Sequence, residues 1–182
     1  MMAIAPIRIA CIGDSITEGR GGVNSYPAQL QKILGSRYLV GNFGRTSASV
    51  LPGPLQYHKL PECQDAIDFR PNKVLMMLGT NDSPGLNWSE RRERFRTAYR
   101  TLISGFRGLK SKPEIVVMLP PPMFFGESDW RPRNLVDEII PLEQTLADVE
   151  GCLVFNAYEL FKGKEESFPD RLHPNNLGFD LM

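Results

Sequence analysis

Ser15, in Gly13-Asp14-Ser15-Ile16-Thr17, follows an apolar run and stands where a turn would present a nucleophilic hydroxyl. A serine attacks a carbonyl only if a base within hydrogen-bond reach takes its proton and a third group orients that base. The chain has two histidines, His58 and His173. His58 lies in a proline-rich loop with no carboxylate beside it, whereas His173 lies in Phe168-Pro169-Asp170-Arg171-Leu172-His173-Pro174-Asn175. Asp170 and His173, at i and i+3, can meet on one turn without long-range packing. The carboxylate then accepts from the ring Nδ1–H and leaves Nε2 to take a serine proton. Asn81, in Gly79-Thr80-Asn81-Asp82, offers a side-chain amide to a developing oxyanion. Each signal also has a plain structural reading: Asp14 or Ser15 capping a loop, His173 as a surface histidine beside a turn aspartate, Asn81 bonded to turn backbone.

Taken together the signals are more specific. Gly13-Asp14-Ser15-Ile16-Thr17, Asn42-Phe43-Gly44, Gly79-Thr80-Asn81-Asp82 and Asp170-x-x-His173-Pro174-Asn175 follow one another in this order. In order and spacing the sequence resembles the SGNH (GDSL-type) serine hydrolases over nearly its whole length. Asn81-Asp82-Ser83 with Asn87-Trp88, and Pro120-Pro121-Pro122-Met123-Phe124, are similar to bacterial carbohydrate O-acetylesterases such as sialate 9-O-acetylesterases. The resemblance implies a flavodoxin-like three-layer α/β/α sandwich on a five-stranded parallel sheet. It implies Ser15 as nucleophile, Asp170 and His173 as the pair behind it, and the Ser15 N–H and Asn81 amide at the oxyanion. It implies no cofactor, and a small-molecule ester, an acetylated sugar, as substrate.

The sequence departs from that family in two places. The family has glycine five residues after the second-block asparagine, with its backbone N–H at the oxyanion; here that residue is Ser47. Serine keeps an N–H, but a Cβ at positive φ costs about 1 kcal/mol or more. The chain also ends at Met182, nine residues after His173, where the family runs on into a closing helix. One domain over 1–182, with that helix cut short at Leu177 to Met182, is the expectation.

These residues need a scaffold that gathers them. Ile7–Ile12 reads as a first strand, Tyr38–Val40 as a short second and Lys73–Leu78 as a third. Ile115–Leu119 reads as the fourth and Cys152–Phe155 as the fifth. The third is almost wholly apolar, as a parallel strand covered on both faces should be. Apolar residues at helical spacing predict helices over Tyr26–Leu34, from an N-cap at Ser89 to about Leu109, and over Asn134–Val149 with a disturbance at Pro141. Thr46–Pro71 reads as loop with a short helix, and the tail from Asn156 as mostly irregular. Strands alternating with helices predict an α/β/α domain whose chemistry lies at the carboxyl ends of the strands.

Composition narrows the alternatives. With 21 Lys plus Arg against 21 Asp plus Glu, the net charge is zero, so nothing calls for nucleic acid or an anionic membrane. Apolar residues make up 42%, but no apolar run has the length of a membrane span. No signal peptide is visible, so the chain as given reads as cytoplasmic, or as the trimmed product of a secreted parent. Cys11, Cys63 and Cys152 are far apart and odd in number, which speaks against a disulfide framework and a zinc site. Cys11 and Cys152, in apolar runs, read as buried free thiols. A nucleotide- or flavin-binding module would share the sheet. Yet Gly19-Arg20-Gly21-Gly22 has the wrong spacing for a phosphate loop, and no histidine cluster suits a metal hydrolase. Within the enzyme reading a lipid-type esterase, thioesterase or lysophospholipase stays open. Trp88, Phe124, Phe125 and Trp130 are candidate sugar-stacking faces or simply packing residues.

Overall fold

The computed structural model describes residues 5–19, 24–85, 87–126 and 129–182, with the side chain of Trp130 outside the description. Residues 20–22 of the glycine-rich stretch also lie outside it. Five parallel strands, β1 (Ile7–Gly13), β2 (Tyr38–Gly44), β3 (Lys73–Met77), β4 (Glu114–Leu119) and β5 (Leu153–Asn156), lie in the order β2-β1-β3-β4-β5. That is the flavodoxin-like order, as expected. The chain leaves β1 toward β2 on one side and returns to β3 on the other. The switch point therefore opens between the carboxyl ends of β1 and β3.

Alternation along the strands feeds two cores. Ala10, Ile12, Val74, Met76, Val117 and Leu119 pack into the larger one. Ile9, Cys11, Met77 and Met118 pack into the other with Ile16, Tyr26 and Phe179. The helices are α1 (Ser15–Glu18), α2 (Tyr26–Leu34), α3 (Pro61–Asp68), α4 (Trp88–Arg107), α5 (Trp130–Asn134), α6 (Ile140–Glu150), α7 (Ala157–Phe161) and α8 (Asn176–Leu181). Phe95, Tyr99, Leu102, Ile103 and Phe106 form the buried stripe of α4. Among the described residues no helix is long and apolar enough to cross a membrane.

The structure corrects the sequence expectations for β2, the start of α4, the tail and Cys152. β2 runs on to Gly44, in full register with β1 as far as Gly13↔Gly44; its glycines and Asn42 hide the strand signal. Helix α4 starts at Trp88, directly after Asn87 at φ 59°, so Ser89 lies inside the first turn. Burial of the Trp88 ring against Phe95, centroids 5.6 Å apart, sets that earlier start. The disturbance expected at Pro141 is present: ahead of it the chain forms a π turn, Leu135–Ile139, between α5 and α6. Proline lacks an N–H and its ring would strike the carbonyl four residues back, so the preceding turn widens. The tail is more ordered than expected. Asn156 and Asn175 cap α7 and α8 by accepting from Glu159 N–H and Gly178 N–H, each at 3.0 Å. Phe161 and Phe168, both buried, anchor the segment between the two helices. Cys11 and Cys63 are buried free thiols, while Cys152 is only half-buried beside Arg107.

Candidate active site

Ser15 is the first residue of α1, directly after β1, and Asp14 caps it by accepting from Ile16 N–H at 3.0 Å. A Cβ on Gly13 would collide with the Thr17 side chain and the Met77 carbonyl, so this tight exit from β1 requires glycine. The Ser15 hydroxyl lies 2.8 Å from His173 Nε2, although the residues are 158 positions apart. On the other side of the ring, Nδ1 lies 2.7 Å from Asp170 Oδ2. A carboxylate only accepts, so Nδ1 carries the hydrogen and Nε2 faces Ser15 as acceptor.

Asp170 is oriented in turn. Its Oδ1 accepts from Leu172 N–H at 3.1 Å and His173 N–H at 2.7 Å. Partial burial pushes its carboxyl up, but the His173 N–H and ring and the Leu172 N–H outweigh that and hold it at about 2. It is therefore an anion at neutral pH. The Asp170–His173 turn is tied to the loop after β4 by Phe124 N–H donating to the Arg171 carbonyl at 3.0 Å.

Asn81 lies in a single 3-10 turn, Thr80–Asp82, after β3. One hydrogen of its amide donates to the Ala48 carbonyl at 3.0 Å. This orients the group and leaves the second amide hydrogen for a ligand. Ser47, after β2, has φ 63°, the left-handed conformation that would account for glycine at the matching family position. Ser15, Ser47, Asn81 and His173 line one open cleft of about 350 Å³. Thr46 and Asp170 add polar walls, and Phe125 and Leu172 are its apolar ones.

Of the aromatic candidates, Phe125 borders this cleft, with the Arg131 guanidinium 3.9 Å from its ring centroid and Arg131 paired to Asp129. Trp88 does not: it is 5% exposed and packs in the core. Phe124 packs against Phe168, centroids 5.1 Å apart, behind the cleft. His58 is exposed and lines a separate hollow with residues of α4.

Sequence reasoning missed the acids behind these residues. Asp82 accepts from Val50 N–H at 2.9 Å and Leu51 N–H at 2.7 Å, pinning the loop that carries Ser47. Burial pushes Asp82 up to about 6 despite these donors, and pushes Asp14 up to about 7. Glu143, wholly buried under Gly79, is driven well above the carboxylate range by burial, with Asp82 and Asp14 adding to it. No periodicity marks such residues; only Asp14 and Asp82, beside Ser15 and Asn81, carry a positional hint.

An unfolded aspartate titrates near 3.9. Between about pH 4 and pH 7 the unfolded chain therefore sheds a proton that folded Asp14 keeps, and stability falls as pH rises. Asp14→Asn keeps the capping oxygen and removes the titration. Its melting temperature should fall less steeply across that window than the parent's, Asp82 and Glu143 supplying the remaining slope. Equal slopes for variant and parent would place the proton elsewhere.

The GDSL-like lipase/acylhydrolase family model matches residues 11–181. The chain belongs to that family. An acetylxylan esterase of Xylanibacter ruminicola is 34% identical to this GDSL-like chain over 199 aligned positions, covering 97% of it. The match takes in 41% of that relative, so the chain spans about two fifths of its length. Among solved structures, a catalytic mutant of an acetylxylan esterase from Geobacillus stearothermophilus superposes with a TM-score of 0.72 at 20% identity. That superposition covers 100% of this chain and 92% of the other. A carbohydrate acetylesterase family member from Sinorhizobium meliloti gives 0.69 at 19% identity, covering 96% and 92%. At such identities these structures speak for the fold, which agrees with the order of the strands.

Proposed function

We propose that this chain is a serine esterase that removes small acyl groups, chiefly acetyl, from a carbohydrate through an acyl-enzyme on Ser15. The observation that carries the reading is the line Ser15 Oγ–His173 Nε2, 2.8 Å, and His173 Nδ1–Asp170 Oδ2, 2.7 Å, opening on a cleft. Ser15 Oγ bonds to the ester carbonyl carbon as its proton passes to Nε2. The carbonyl oxygen, now negative, is met by the N–H groups of Ser15 and Ser47 and by the Asn81 amide. The carbon–oxygen bond to the sugar breaks, and the departing oxygen takes the proton from Nε2. A water then gives its proton to Nε2 and its oxygen to the acyl carbon, releasing the acid and restoring Ser15.

Acetyl on sugar is favoured by the lining of the cleft. Thr46, Ser47 and Asn81 give the cleft a polar lining suited to a polyol, and Phe125 offers one ring as a stacking wall. A lipid-type esterase, thioesterase or lysophospholipase would need a long apolar groove leading from Ser15. The apolar hollow of about 190 Å³ between α2 and α8, lined by Leu30, Met118 and Phe179, reaches neither Ser15 nor His173. The name of the Xylanibacter relative points the same way, though it belongs to a longer protein.

A nitrophenyl ester series from acetate to octanoate tests the reading, together with acetate release from acetylated xylan. We expect kcat/KM to be highest for acetate and to fall about tenfold or more by octanoate. A preference for octanoate would favour the lipid enzyme. Failure to cleave any ester would remove both readings.

A further inference from the structure

Ser47 holds a left-handed backbone without being glycine, at φ 63°. A side chain disfavours that region, so the surrounding structure must hold it there. Its restraints come from both sides. Downstream, the Ala48 carbonyl accepts from Asn81, and Val50 and Leu51 donate to Asp82. Upstream, Thr46 N–H donates to Glu18 Oε2 at 2.9 Å, and the Thr46 hydroxyl donates to the same oxygen. Two donors on one carboxylate oxygen make a charge-assisted anchor on the residue just before Ser47.

Glu18 is well placed to act as a ruler. It is the fourth residue of the one-turn helix that begins at Ser15, so the two side chains lie one turn apart, at i and i+3. The backbone of Glu18 is itself fixed. Asn42 donates to the carbonyls of Thr17 and Glu18 at 2.9 and 3.3 Å. At Gly44 the end of β2 lies so close that a Cβ would strike the Glu18 backbone nitrogen. The nucleophile and the anchor of the Ser47 loop thus hang from one rigid turn.

We propose that Glu18 is a positioning residue that, through Thr46, holds the Ser47 N–H toward the oxyanion, supplying by a hydrogen-bonded anchor what glycine would supply by conformational freedom. The inference rests on the reading of Ser47 as an oxyanion donor. Its signature is a dependence on the side chain at position 47. With serine there, the loop relaxes out of the left-handed region once the anchor is lost. With glycine there, the conformation carries no Cβ strain and survives without the anchor.

The test is a double-mutant cycle on Glu18→Ala and Ser47→Gly, read as kcat and KM on a nitrophenyl acetate, with melting temperatures alongside. Losing one oxyanion donor outright costs about 10²–10³-fold, so a misplaced one should cost about 10–100-fold in kcat with KM nearly constant. In the Ser47→Gly background the same Glu18→Ala change should cost about threefold or less. Glu18→Gln, whose carbonyl still accepts from Thr46 N–H, should fall between, and it replaces Glu18→Ala in the cycle if the alanine variant does not fold. A loss of kcat that is equal in both backgrounds, or no loss in either, overturns the proposal. If Ser15→Ala and Asn81→Ala still cripple the enzyme in that event, only this inference fails. If those two are also fully active, the esterase assignment falls with it.

Discussion

Ser15→Ala is expected to lower kcat by about 10⁴–10⁶-fold, and His173→Ala by about as much. The two side chains share one proton, across the 2.8 Å contact between Oγ and Nε2. Without the hydroxyl there is no nucleophile, and without the imidazole nothing takes its proton. Combining the changes should therefore cost little more than either alone, because the residues act as a unit. Asp170→Asn should keep the turn, since an amide oxygen can still accept from the Leu172 and His173 N–H groups. It should nonetheless lower kcat by about 10²–10⁴-fold, because the anion that stabilises the imidazolium and selects its tautomer is gone. His58→Ala, in an exposed position of the 3-10 turn Tyr57–Lys59, is the control. Steady-state kinetics on an acetate ester with melting curves separates these cases. Full activity in His173→Ala together with loss in His58→Ala would reverse the assignment of the base.

Asn81→Ala is expected to lower kcat by about 10²–10³-fold while leaving KM nearly unchanged. The ground-state carbonyl makes little demand on the amide, whereas the tetrahedral oxyanion does. The hydrogen bond from the Asn81 amide to the Ala48 carbonyl, 3.0 Å, complicates the reading, because alanine also releases one tie on the Ser47 loop. Asp82 still holds that loop at Val50 and Leu51, so the fold should persist. A loss confined to KM, or to melting temperature, would make Asn81 a turn residue and nothing more.

Several features were legible because they are local. Asp170 and His173 are three positions apart, so any compact turn brings the two together. The strands showed themselves as apolar runs, and the helical stripe from Phe95 to Phe106 as a 3.6-residue period. The alternation of strands and helices, with four short blocks in family order, then led to a parallel sheet with chemistry at its carboxyl edge. Other features waited on packing. Of the two readings of Trp88, a sugar-stacking face or a packing residue, the structure takes the second: its ring fills the core ahead of Phe95. The start of α4 moved from Ser89 to Trp88 for the same reason.

By itself, then, the sequence carried the resemblance to the family, in four blocks in order, and the class of fold, in its periodicity. Only the tertiary structure decided how those groups face one another. The Ser15–His173 contact spans 158 positions, Asp82 reaches Val50 across 32 and Glu18 reaches Thr46 across 28. No local pattern encodes such distances. The elevated acids Asp14, Asp82 and Glu143 are products of burial. Burial is set by which elements close over a residue, and no residue carries that information in its own neighbourhood of the chain. The left-handed backbone of Ser47 is the sharpest case: serine alone would avoid it, and the anchors on either side impose it.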